Sequence, residues 1–151
     1  MIENFLLGKQ FHPEFSKKGW ILKKPLLRAV QSIFEKYDVR PANEKLMMGQ
    51  FSGGNQQKFV VGRELYHQPA LLIAAQPTRG VDIGAIEKIH DELLRQRESG
   101  ASILLISSEL DELLKLSDRI LVLFNGKIMG SFQKNEFDEK KIGALMMGGP
   151  T

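Results

Sequence analysis

Cysteine is absent from all 151 residues, which excludes a disulfide framework and any thiolate metal site and suits a reducing compartment. Long apolar runs are missing as well. No stretch reaches the roughly 18 to 20 residues that a membrane-crossing helix needs, and the N-terminus does not carry the basic, apolar and small-residue regions of a secretory signal. Any membrane association is therefore expected to run through a partner. The three histidines, His12, His67 and His90, show no ligand spacing along the chain, so no metal site is expected from them. The single tryptophan, Trp20, sits in the densest basic patch, with Lys17, Lys18, Lys23 and Lys24. Elsewhere acids and bases interleave and the net charge is only +3. The patch reads as solvated lysines around one anchoring ring, and no nucleic-acid partner is expected.

What is present is the mix of an ordinary globular domain, 42% hydrophobic and 26% charged. The first fifty residues read as helical and loop-rich. Leu26, Leu27, Val30, Ile33, Phe34 and Tyr37 form one apolar stripe at helical spacing, with Pro25 in the first turn and Pro41 beyond the end. After Phe51 short apolar runs alternate with amphipathic segments, the pattern of a parallel α/β layer structure. Strands are expected at 71–75, 102–106, 119–124 and 127–131, and helices at 55–67, 85–98, 109–116 and 138–147. Asn125-Gly126 between the last two runs predicts a tight hairpin, because a type I′ turn needs positive φ at both positions.

The most specific string is Phe51-Ser52-Gly53-Gly54-Asn55-Gln56-Gln57-Lys58, a small-residue loop opening into a helix. Such a loop presents backbone N–H groups at the positive end of a helix dipole, and its glycines let a phosphate come close. Downstream follow Leu71-Leu72-Ile73-Ala74-Ala75-Gln76-Pro77-Thr78-Arg79-Gly80-Val81-Asp82 and then Ile103-Leu104-Leu105-Ile106-Ser107-Ser108-Glu109. In order and spacing this set resembles the ABC ATPases: signature motif, Walker B strand, D-loop and switch loop. The Asn-Gln-Gln-Lys extension is similar to that in tandem ATPase subunits of sugar-type importers. The string Ala-Ala-Gln-Pro-Thr-Arg-Gly is similar to the second cassette of the nucleoside-importing branch.

The resemblance implies an α/β fold, part of a P-loop NTPase core with a mostly parallel sheet and a small α-helical subdomain. Residues 1–49 would be the helical subdomain and 50–151 the later part of the ATPase core. No G-x-x-x-x-G-K-[ST] loop occurs, so the chain reads as a fragment without the cradle for the β- and γ-phosphates. Three further departures fall at one implied site. Ala75 stands where the family has the Asp that helps hold Mg²⁺, and its methyl offers no oxygen. Gln76 replaces the Glu that activates water, and a neutral amide cannot take up the proton. Ser108 replaces the switch histidine and could instead cap the helix that follows.

Two cassettes of this family sandwich two nucleotides, each site combining one half's Walker motifs with the other half's signature. The resemblance therefore implies that Ser52, Gly53, Gly54, Asn55 and Gln56 bind nucleotide in trans while this half's own site is degenerate. Asp82 would lie at the interface as the D-loop residue, besides capping the helix that starts near Gly84. ATP and Mg²⁺ are the implied cofactors of the assembled transporter. The implied partners are an N-terminal cassette of the same subunit or a second ATPase subunit, an integral-membrane permease and, indirectly, a substrate-binding protein, at the cytoplasmic face of the membrane. The alternatives are a soluble ABC-type ATPase acting on nucleic acid or in translation, and a fragment inert by itself. The family's sheet also implies a missing phosphate-loop strand, so a gap is expected between strand 102–106 and strand 119–124.

Overall fold

The structure is a computed structural model that describes residues 1–149. Its helices and strands run α1 (Ile2–Leu6), β1 (Ser16–Lys17), β2 (Trp20–Ile21), α2 (Lys23–Lys36), α3 (Gly53–Leu65), β3 (Leu71–Ala75), α4 (Ile83–Glu98), β4 (Ser102–Ile106), α5 (Leu110–Leu116), β5 (Arg119–Phe124), β6 (Lys127–Gln133) and α6 (Glu139–Met146). Strands β3, β4 and β5 have the bounds that their apolar runs predict. Strand β6 continues two residues past Ser131 to Gln133. The short ribbon β1–β2 around Lys18 and Gly19 has no counterpart in the sequence expectation. Both of those residues have positive φ, 51° and 80°, and Lys-Gly carries a weaker turn signal than Asn-Gly.

The chain forms two compact units, Met1–Ala70 with Pro77–Ala101, and Leu71–Gln76 with the residues from Ser102 onward. This division differs from a boundary at 49/50 because α3 packs against α2 and α4, which joins residues 53–65 to the helices before them.

In the first unit the apolar stripe of α2 supplies the core: Leu26, Ala29, Val30, Ile33 and Phe34 are buried. Leu27, expected in that stripe, is only half-buried, and Ala29 takes the place beside Val30. Helix α3 crosses α2 at Gly62. A Cβ there would lie 2.6 Å from Ile33 Cγ2 and 2.8 Å from Tyr37 Cδ2, so only glycine permits this approach. Between α2 and α4 the carboxylate of Glu92, 4% exposed, is ion-paired with Lys36 at 3.0 Å and with Arg95, and accepts a 3.0 Å hydrogen bond from Gln96 Nε2. Burying a carboxylate is tolerable only with such partners.

In the second unit β3 and β4 pair in parallel, Leu71 opposite Ser102 through Ala75 opposite Ile106. Strands β5 and β6 form an antiparallel hairpin whose turn residues Asn125 and Gly126 have φ of 46° and 74°, as the type I′ reading requires. The register shifts between Val122 and Leu123, a bulge that adds local twist. Helix α6 covers the hairpin, burying Ile142 and Leu145 against Ile120, Val122 and Phe132. Among the described residues β4 and β5 do not pair, and the two strand pairs remain separate sheets, in keeping with the expected gap. Leu71, Ile73, Leu104, Leu121 and Leu123 are exposed, at alternating positions along their strands.

Candidate functional site

The Ser52 loop begins where Phe51 is buried against Phe34, ring centroids 6.3 Å apart and nearly parallel. Ser52 is the N-cap of α3, with extended φ/ψ of −61° and 153°. Its Oγ accepts a 2.9 Å hydrogen bond from Asn55 Nδ2 and a longer one, 3.5 Å, from the Asn55 amide. Asn55 Oδ1 in turn accepts from the Arg40 amide at 2.8 Å, and Gln56 Nε2 donates to the Phe51 carbonyl at 2.8 Å. Gly53 and Gly54 occupy the first two helical positions, where backbone N–H groups have no intrahelical partner. A Cβ on Gly53 would meet open space. This is an exposed donor array at the positive end of a thirteen-residue helix, chemically suited to phosphate oxygens.

The same helix grips residues 77–82 in three places. Gln57 Nε2 donates to the Pro77 carbonyl at 2.7 Å. A Cβ on Gly54 would sit 3.3 Å from the Gly80 carbonyl oxygen, so glycine lets the two backbones come close. Lys58 Nζ lies 3.0 Å from Asp82 Oδ2. Asp82 caps α4 as expected, Oδ1 accepting from the Ala85 amide at 2.9 Å. The Lys58 hydrogen bond first, then the Ala85 amide, hold its carboxyl below the usual range. Lys58 and Gln57 are the site residues that the sequence reading missed. Their place just after the signature was the only available signal, and helical spacing from Ser52 does not show what they reach.

In the second unit Ala75 ends β3, and Gln76 follows with φ of 50°, a left-handed conformation costly for a residue with a Cβ. Gln76 N–H donates to the Ile106 carbonyl at 2.7 Å. The Ser108 hydroxyl donates to Gln76 Oε1 at 3.4 Å, so these two residues, distant in sequence, meet. Ser108 is not the helix cap. Glu109 is the N-cap of α5, and it is Ser107 Oγ that accepts from the Glu109 amide at 3.0 Å, which leaves Ser108 turned to Gln76. Residues 75 and 76 carry no carboxylate, so neither offers an anionic oxygen to Mg²⁺ or a base for water.

A cavity of about 480 Å³ lies elsewhere, lined by Lys36, Tyr37, Gly62, Glu92 and Arg95 among others, and none of the predicted site residues lines it. Burial pushes the Tyr37 hydroxyl up to about 12, so it is a neutral hydrogen-bonding group there.

The chain is 45% identical over 146 residues to the guanosine import ATP-binding protein NupO of Bacillus subtilis (strain 168), a match covering 97% of this chain and 29% of that protein. It is 42% identical over 147 residues to the nucleoside import ATP-binding protein NupA of Lactococcus lactis subsp. cremoris (strain MG1363), with the same coverage. A ribose import ATP-binding protein, RbsA of Streptococcus agalactiae serotype Ia, is 37% identical over 136 residues, 90% of this chain and 28% of that protein. The chain thus spans less than a third of the length of these curated relatives. No protein-family model matches. Among solved structures, a nucleotide-free ATP-binding cassette from an ABC transporter matches with a TM-score of 0.67 and 27% identity, over 99% of this chain and 59% of that one. A dimeric bacterial ABC transporter cassette matches with a TM-score of 0.73 over 90% of this chain and 57% of that one, at 22% identity, which speaks for the fold alone. Helix α3 with its Ser-Gly-Gly cap, the loop it grips and these matches agree: the chain is part of an ABC ATPase cassette and belongs with the ATP-binding proteins of sugar and nucleoside importers.

Proposed function

We propose that this chain serves as the signature-donating half of an ATP site in an importer of nucleosides or simple sugars. The observation that carries this reading is an asymmetry. The Ser52–Asn55 loop is hydrogen-bonded into shape with Ser52 and Gly53 open to solvent, whereas Ala75 and Gln76 offer no carboxylate at the Walker B positions. A donor array at a helix N-terminus stabilises phosphate charge whichever subunit supplies the rest of the site.

In this reading the Ser52 hydroxyl and the Gly53 and Gly54 amides face the γ-phosphate of an ATP held by a partner cassette with intact Walker residues, and Asn55 and Gln56 hold the loop in register. ATP supplies the free energy of transport through hydrolysis of its terminal phosphoanhydride. Because α3 is pinned to residues 77–82 through Gln57, Gly54 and Lys58, engagement of phosphate by Ser52 moves Asp82 with it. Asp82 lies where the D-loop would face the partner, so this linkage couples one site to the other. The site built on this half's own phosphate loop binds nucleotide without efficient turnover. An Ala75 methyl cannot ligate Mg²⁺, and Gln76 orients water without accepting its proton.

The partners in this reading are an N-terminal cassette of the same subunit or a second ATPase subunit, a membrane permease and, through it, a substrate-binding protein, at the cytoplasmic face of the membrane. The nucleoside side is favoured by the similarity to the guanosine and nucleoside import proteins. No described helix is long and apolar enough to cross a membrane, which suits attachment through the permease. The test is ATP hydrolysis by the chain alone and after addition of a separately made first cassette. Silence alone, stimulation on mixing, and loss of that stimulation in Ser52→Ala and Gly53→Val support the proposal. Hydrolysis by the chain alone refutes it.

A further inference from the structure

The fold gathers His12, Glu14 and His67 into one exposed cluster of the first unit, where one ligand atom from each lies within 4.8 Å of the others. The two imidazoles lie side by side and tilted, ring centroids 4.2 Å apart and planes 34° from parallel. Their floor is the buried ring of Phe15, 5.9 Å from His12 and 5.7 Å from His67. Tyr66 meets His67 edge-on at 5.0 Å, and its hydroxyl donates a 2.8 Å hydrogen bond to Glu14 Oε1. The histidines thus rest on an aromatic base, and the carboxylate is oriented by a hydroxyl, as ligating carboxylates are in metal sites.

We propose that His12, Glu14 and His67 bind a transition-metal ion of the zinc class, with water completing the coordination. Two imidazoles and one carboxylate match the three-ligand sets that zinc accepts, and the imidazoles select zinc, nickel or copper over magnesium. In a tetrahedral site with bonds near 2.0–2.1 Å the ligand atoms stand roughly 3.3 Å apart. The three side chains are all exposed, so they are free to rotate and close from within 4.8 Å to that spacing. His12 Nδ1 accepts a 3.3 Å hydrogen bond from the Glu14 amide, a long contact whose loss on a change of tautomer costs little. The bound ion ties the loop before β1 to the residues just after α3, and so braces the end of the helix that carries the Ser52 loop.

The experiment is a calorimetric titration of the tag-free chain with zinc chloride, beside a mass-spectrometric footprint of histidine acylation by diethylpyrocarbonate with and without the metal. One equivalent binds with a dissociation constant below about 10 µM. His12→Ala and His67→Ala each weaken it at least about tenfold, and Glu14→Gln weakens it too. Glu98→Gln, an exposed acid on α4, leaves it unchanged. In the unsubstituted chain zinc protects His12 and His67 from acylation, a readout that does not depend on any variant folding. Absence of saturable binding up to about 100 µM, binding unaltered in the double variant His12→Ala/His67→Ala, or acylation unaffected by zinc overturns the proposal.

Discussion

Lys58 Nζ lies 3.0 Å from Asp82 Oδ2, joining the sixth residue of α3 to the residue that caps α4. The lysine end is largely covered, 13% exposed, and the aspartate is open at 65%. The aspartate therefore meets whatever approaches this face while the lysine holds it in place from behind.

Asp82→Asn keeps a competent cap and loses the ion pair, so it lowers the melting temperature less than Asp82→Ala does. The pH dependence has a definite sign. The carboxyl is held below its ordinary value by Lys58 and the Ala85 amide, so its contribution is full above about pH 4 and is lost as pH falls through the folded-state value. Thermal melts of wild type and Asp82→Asn should differ at neutral pH and converge in acid, and a gap that widens in acid contradicts this assignment.

At the α2–α3 crossing Gly62→Val puts methyl groups where Ile33 and Tyr37 already stand within 3 Å of an added Cβ. Overpacking of this kind costs about 1–3 kcal/mol, and any gain in helix propensity is smaller. Urea unfolding should show a lower midpoint at an unchanged m-value. Gly53→Ala, which meets nothing within 4 Å, is the neutral comparison for stability.

The unpaired strand edges of β4 and β5, together with exposed Leu104, Leu121 and Leu123, make self-association of the isolated chain the expected outcome. Light scattering should report a mass that rises with concentration, and Leu104→Lys with Leu121→Lys should reduce it. A monodisperse monomer at high concentration would show that these edges are protected.

If the proposed function is right, restoring chemistry at the cluster of Ala75, Gln76 and Ser108 takes two changes. In an assembled subunit with an intact phosphate loop, Gln76→Glu alone regains little, because Ala75 still offers no oxygen to Mg²⁺. Ala75→Asp/Gln76→Glu should raise turnover at that site by about 10²–10⁴-fold, the ordinary contribution of a general base. Single-turnover hydrolysis with the partner site inactivated is the measurement. Full recovery by Gln76→Glu alone would remove the role assigned to position 75.

Much of this molecule is legible without coordinates because it is local. Alternating apolar runs set β3, β4 and β5, positive φ at Asn125 and Gly126 sets the hairpin, and Asp82 reaches an amide only three residues on. Each depends on φ/ψ preferences and neighbours within a turn or two of chain. The identity of residues 75 and 76 is likewise enough to show that carboxylates are missing there, although not that Glu109 takes the N-cap of α5 and leaves Ser108 facing Gln76.

Tertiary structure alone decided what meets across long stretches of chain. Nothing in the spacing of His12 and His67 shows their rings 4.2 Å apart, nor does a helix-period pattern explain why Gly62 must be small. Lys58 could have pointed to solvent, and only the packing of α3 on α4 brings Asp82 to it. The sequence by itself determined β3, β4 and β5, the Asn125-Gly126 turn, the Asp82 cap and the chemical types present at each loop, but neither the β1–β2 ribbon nor the cap of α5. The tertiary structure decided the pairs, because a contact between distant residues depends on the crossing of whole helices and strands, a property of the packed chain that no short window of residues contains.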